Sequence, residues 1–174
     1  MGSVEEMSAL SRVAAVLEGI EASRQRREDL YRHLHAHPEL SSHEVETAAE
    51  IVDRLTGLAD DVVEVGGGVV GVLTNGPGPT VLVRADIDAL PVTELTGLPY
   101  ASTVTAVDES GATVGVAHAC GHDAHVVCLL GAMELLAARR DAWSGTFVAV
   151  FQPAEETAAG SQAMIDDGLT TRIP

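Results

Sequence analysis

The stretch that decides the fold is GTFVAVFQPAEE, residues 145–156. From Gly145 to Gln152 it is almost unbroken by polar side chains, and Pro153 then stops it. A strand with one wet face alternates apolar and polar residues, whereas a continuous apolar run of this length reads as a strand buried on both faces. Working outward, DAHVVCLLGAMELLAARR (123–140) places Val126, Leu130, Met133 and Ala137 at helical spacing and ends on two arginines, which suit a helix C-terminus. Cys128 falls inside this apolar pattern and is expected to be a small buried hydrophobe. On the other side, AAGSQAMIDDG (158–168) predicts a short helix with Gly168 at its end.

The same reading extends upstream. Helices are predicted over 4–19, ending at Gly19, and over 21–37, stopping at Pro38. A third, SSHEVETAAEIVDRLTG (41–57), carries the apolar stripe Val45, Ala48, Ala49, Val52 and Leu55, with Ser41 or Ser42 as its cap. Strands follow at DVVEV (61–65), VVGVLT (69–74), TVLVRA (80–85) and ATVGVAHA (112–119), with NGPGP (75–79) as a turn. Helices alternating with near-continuous apolar strands predict an α/β fold, with a largely parallel sheet covered by helices on both faces.

Composition narrows the function classes. The 174 residues make about one domain, with 26 Asp and Glu against 10 Lys and Arg and a net charge of −16. The one basic cluster, RQRRED (24–29), is short, so nucleic acid and anionic membrane are excluded as partners. Multivalent cations fit an acidic chain better. The N-terminal MGSVEEMSAL lacks the basic and apolar segments of a secretory signal, and no apolar run reaches the ~18 residues of a membrane span. With two cysteines and no export signal a disulfide framework is not expected, and the expected location is cytoplasmic.

In an open α/β sheet ligands collect beyond the carboxyl ends of the strands. Three apolar runs lead into chemically loaded segments there: TVLVRA into Asp86-Ile87-Asp88, TVGVA into His118-Ala119-Cys120-Gly121-His122, and FVAVF into Gln152-Pro153-Ala154-Glu155-Glu156. If the strands are parallel neighbours, the three segments share one rim. In extended chain Cys120 and His122 point the same way, as do Asp86 and Asp88. Thiolate, imidazole and carboxylate are ligands for a borderline-soft divalent ion such as Zn²⁺. A helix beginning near Asp123 would favour the Cys120 thiolate. Of two adjacent glutamates after a proline kink, one can hold an ion while the other takes a proton from water.

Two look-alike motifs are discounted, and one other reading stays in view. GGGVVG (66–71) fits a dinucleotide fingerprint but leads into a strand, so it reads as a turn. His33 and His37 lack the glutamate of a metal-binding helix motif, and neither His118 nor His125 is placed in the ligand set. A hydrolase using Cys120 as nucleophile is that other reading, and it leaves the two acidic strand ends without a role.

RHLHAHPELSSHEVETA (32–48), VLVRADIDALPVTE (81–94), HACGHDAH (118–125), FQPAEE (151–156) and GSQAMIDDGL (160–169) together resemble the successive motifs of the N-acyl-amino-acid amidohydrolases. These are the aminoacylases, hippurate hydrolases and indole-acetyl-amino-acid hydrolases of the aminoacylase/carboxypeptidase superfamily of metallopeptidases. The resemblance implies a zinc-enzyme catalytic domain, up to two divalent ions (Zn or Mn, with Co or Ni as alternatives) and hydrolysis of N-acyl amino acids or small peptides. It implies Cys120, His122 and Glu156 as metal ligands, Glu155 as general base, and Asp88 as the acid that orients the site. Asp86 stands where some relatives have a ligand histidine. Members of this family are longer, with further metal-binding histidines and a lid and dimerisation domain, whereas no histidine follows His125 here. Residues 1–174 are therefore expected to be the amino-terminal portion of the catalytic domain, whether made as a fragment, truncated by mutation or completed by another polypeptide, and the expected protein partners are a homo-oligomer or a complementing C-terminal chain. The alternative is a catalytically incomplete fragment with weak metal binding.

Overall fold

The computed structural model describes residues 8–108 and 110–173. Its elements run α1 (Ala9–Leu17), α2 (Arg24–Ala36), α3 (Val45–Leu55), β1 (Asp61–Val65), β2 (Gly68–Asn75), β3 (Thr80–Asp86), β4 (Thr105–Val107), β5 (Thr113–Gly115), α4 (His122–Ala138), β6 (Gly145–Gln152), α5 (Gly160–Asp166) and α6 (Leu169–Arg172). The start of the predicted 4–19 helix lies outside the described residues. No helix among the described residues is long and apolar enough to cross a membrane.

β6, the stretch that decides the fold, is an inner strand of a four-stranded sheet ordered β1-β2-β6-β3. Successive residues point to opposite faces, and both faces are covered. Ala149 and Phe151 join Val69, Leu73, Ala85 and Ile87 beneath α2, α3 and α4, which contribute Leu30, Leu34, Ile51, Leu55, Val126, Leu130 and Met133. Val148 and Val150 join Val65, Val70 and Val72 on the other face, where Met164 of α5 packs.

The α/β class and the two-sided burial match the sequence reading, but the strand directions differ from it. β1 with β2 and β2 with β6 are antiparallel, and only β3 with β6 is parallel. A continuous apolar run reports burial on both faces and carries no information about direction. β1 and β2 are joined through Gly66 and Gly67, a link short enough only for antiparallel neighbours. The parallel pair is joined by a long crossover that contains α4.

Two local expectations are also corrected. TVGVA does not enter the main sheet, because β5 pairs antiparallel with β4 in a separate two-stranded ribbon. Its far end is still tied to the segment that follows β3, since Leu90 and Ala117 exchange backbone hydrogen bonds at 3.1 Å. Cys128 is exposed, because it lies on the side of α4 away from the core line of Val126, Val127, Leu129 and Leu130.

Candidate metal centre

The segment after β6 is held in a turn that positions its two glutamates. Ala154 has a left-handed backbone (φ 47°), is 2% exposed, and donates its N–H to the buried Glu44 carboxylate at 2.7 Å. The Ala154 carbonyl accepts the N–H groups of both Ala159 and Gly160 at 3.1 Å. Gly160 is required for this closure, since a Cβ there would sit 1.6 Å from the Pro153 carbonyl oxygen. Glu44, not a serine, occupies the cap position of α3, and Ser41 has a different partner.

That partner is Asp88, 1% exposed, just beyond β3. One of its oxygens accepts the Ser41 hydroxyl at 2.7 Å and the Glu156 N–H at 3.0 Å. Burial alone would raise the Asp88 pKa. The Ser41 hydroxyl and the N–H groups of Glu156 and Glu155 outweigh it and hold the carboxyl below its ordinary value.

His122 opens α4 and is 4% exposed. Its Nδ1 faces the Asp88 backbone carbonyl at 3.0 Å and an Asp88 carboxylate oxygen at 3.3 Å. Its Nε2 faces Glu155 at 3.9 Å and Glu156 at 4.0 Å. These gaps are too wide for hydrogen bonds, yet they suit donors that each lie about 2 Å from a shared ion. Glu156 Oε1 is buried without a hydrogen-bond partner. An acidic oxygen of that kind, facing an imidazole, fits a divalent cation. A second group of donors, Asp86, His122 and His125, also lies within 4.8 Å of one another.

The link between Cys120 and His122 is not the extended chain expected from the sequence. Gly121 between them is left-handed (φ 77°) and caps α4, so His122 is buried while Cys120 stays exposed at the rim. The thiol is not drawn toward the thiolate. Hydrogen bonding to the Glu156 carboxylate, then burial and the charges of Glu156, Glu155 and Asp88, push its pKa up. A cation at Glu156 would reverse that balance. The same upward push is unfavourable for a nucleophilic Cys120.

The structure thus groups His122 with Glu155 and Glu156, sets Asp88 behind them and places Cys120 beside Glu156. Three contributions escaped the sequence reading: the Glu44 anchor on Ala154, the Ser41 bond to Asp88, and a buried node around His35. His35 Nδ1 meets Asp123 at 2.7 Å and its Nε2 meets Glu94 at 3.1 Å, joining α2, α4 and the 89–104 loop. No spacing signals these links, because each joins segments far apart in sequence.

Residues 82–174 match peptidase family M20/M25/M40. The chain is 44% identical over 140 residues to an N-acetyl-L-cysteine deacetylase of Bacillus subtilis, covering 79% of this chain and 32% of that protein. It is 42% identical over 148 residues to thermostable carboxypeptidase 1 of Saccharolobus solfataricus, covering 82% of this chain and 35% of the relative. Among solved structures it is similar to a dinuclear metal-binding peptidase of Bacillus subtilis, with a TM-score of 0.76 and 39% identity over 88% of this chain and 41% of the other. The chain spans about a third of the length of these curated relatives.

Proposed function

The chain belongs to peptidase family M20/M25/M40, and on that premise we propose that it carries the water-activating part of a metal-dependent amidohydrolase acting on N-acyl amino acids or small peptides. The observation that carries this reading is the His122 Nε2 facing Glu155 and Glu156 at 3.9 and 4.0 Å, beside a buried Glu156 oxygen with no donor. The relatives' names, a deacetylase and a carboxypeptidase, support a small amide as substrate.

In this reading Cys120, His122 and Glu156 hold a divalent ion, Zn²⁺ or Mn²⁺. A bound ion of this kind supplies Lewis-acid polarisation of the scissile carbonyl and acidifies water. Glu155, whose side chain is 40% exposed against 20% for Glu156, is open enough to reach substrate. It takes the proton of the attacking water and hands it to the leaving nitrogen. Asp88 is a positioning residue: it fixes His122 through Nδ1 and Glu156 through its backbone N–H.

The test is hydrolysis of an N-acetyl amino acid by the Zn²⁺- or Mn²⁺-loaded chain, with metal content measured alongside. Glu155→Gln is expected to keep the ion and lose turnover. Turnover that survives this substitution, or that survives a chelator, overturns the assignment.

A further inference from the structure

We propose that the outward face of α1, with the groove beside it, is a self-association surface on which two copies of the chain pair their α1 helices antiparallel. The inference is independent of the proposed metal centre. An amphipathic helix normally turns its apolar stripe to the core, and α1 does not, since none of its residues is buried. Leu10, Val13 and Leu17 recur at helical spacing and are 82%, 56% and 45% exposed, and Ile20 in the following turn continues the stripe at 39%. A contiguous exposed apolar patch of this kind marks an interaction surface.

The opposite side of α1 is fixed to the body of the protein. The Arg139 guanidinium donates to the Ala15 carbonyl at 2.8 Å and pairs with Glu18. Between α1 and the residues around the end of α4 runs a groove of about 530 Å³. Val13, Val16 and Leu17 line it from α1, Leu136 and Trp143 line it from the other side, and Arg12 lines it as well. Val13 and Leu17 belong to both stripe and groove, so one helix offers a ridge and a slot side by side.

A second copy of the chain fits this surface in pattern and in charge. The stripe is symmetric about Ala15, so antiparallel helices set Val13 against Leu17, and Leu10 against Ile20, of the second copy. Each contact then occurs twice, as a two-fold interface requires. Arg12 is the one charged residue of α1 and lies in its first half. Asp141, 71% exposed, precedes the groove wall and pairs with Arg139, which also holds Glu18 just past the other end of the helix. Antiparallel pairing therefore brings Arg12 of each copy to Asp141 of the other. Two chains of net charge −16 repel one another, but α1 carries no acid to oppose approach along this face.

The test is sedimentation equilibrium of the chain carrying Leu82→Lys, which keeps the exposed edge of β3 out of the association. A dimer is expected. Leu10→Lys, at a residue too exposed to disturb the fold, should raise its Kd at least about tenfold with the far-ultraviolet circular dichroism unchanged. Arg12→Asp and Asp141→Arg should each raise the Kd at least about threefold, and the two together should bring it back to within about twofold of the starting value. A Leu82→Lys chain that is monomeric at every concentration, a Kd indifferent to Leu10→Lys, or a double charge exchange no better than the single ones overturns the proposal. Monomers that instead float with phosphatidylcholine vesicles would give the stripe to a lipid surface and overturn it as well.

Discussion

At the scale of single residues, the site depends on a backbone conformation that alanine seldom adopts. The left-handed Ala154 is tied by its N–H to Glu44, and the turn it opens brings Glu155 and Glu156 to the same ring nitrogen of His122. Glu44→Ala leaves a buried N–H without an acceptor and should cost about 1–3 kcal/mol in urea unfolding, while Glu44→Gln keeps an acceptor and should cost less. Equal loss in the two variants would refute this role. Asp88→Asn should weaken Zn²⁺ binding roughly 10- to 100-fold, read by competition with a chromophoric chelator, because it loosens both His122 and Glu156. What the sequence shows at this scale is chemical type: thiol, imidazole and carboxylates at strand ends. Backbone conformation is not visible: a left-handed Gly121, not extended chain, joins Cys120 to His122.

Between elements, the His35 node ties α2 to the start of α4 and to the 89–104 loop. Burial pulls the His35 pKa down, but hydrogen bonds to Asp123 and Glu94, and their charges, outweigh it and leave the pKa raised. For Glu94, burial raises the pKa, and the Thr96 hydroxyl, the Ser102 N–H and His35 together lower it. The His35 contribution to stability is therefore complete below the ordinary histidine pKa near 6.5 and disappears as pH rises through its raised folded value. The Glu94 contribution is complete above the ordinary glutamate range and disappears as pH falls through its lowered value. Stability measured against pH should show this plateau in the wild type and lose its alkaline limb in His35→Gln; an unchanged profile would contradict the assignment. Gly160→Ala should be among the most damaging single-methyl changes, because its Cβ meets the Pro153 carbonyl oxygen at 1.6 Å. A large fall in Tm is expected, together with faster amide exchange over 153–160. Helix positions were legible here from apolar spacing, and in α4 Val126, Leu130 and Met133 are buried as predicted. The stripe predicted for α3 is offset: Val45 is exposed, and Thr47, Ile51 and Leu55 are the residues buried. The place of Glu44 at the start of α3 was hidden because serines are the commoner residues at that position.

Across the whole molecule, burial was legible and connectivity was not. Unbroken apolar runs in β2 and β6 correctly report strands covered on both faces, yet the Gly66-Gly67 link makes the first two strands antiparallel. β3 carries the same kind of apolar run but lies at the sheet edge, with Val81, Leu82 and Val83 exposed at 49%, 58% and 40%. An exposed apolar stretch on an edge strand pairs readily with other chains. Sedimentation is expected to show association rising with concentration and reduced by Leu82→Lys; a monomer at every concentration would contradict this.

The measurement that bears most directly on the central claim is a Co²⁺ titration of the chain followed by absorption. A thiolate-to-cobalt charge-transfer band in the near ultraviolet is predicted, absent in Cys120→Ser and requiring at least about tenfold more cobalt in Glu156→Gln and in His122→Ala. No such band in the wild type, or a band indifferent to Glu156 and His122, would show that sulfur, imidazole and carboxylate do not converge on one ion.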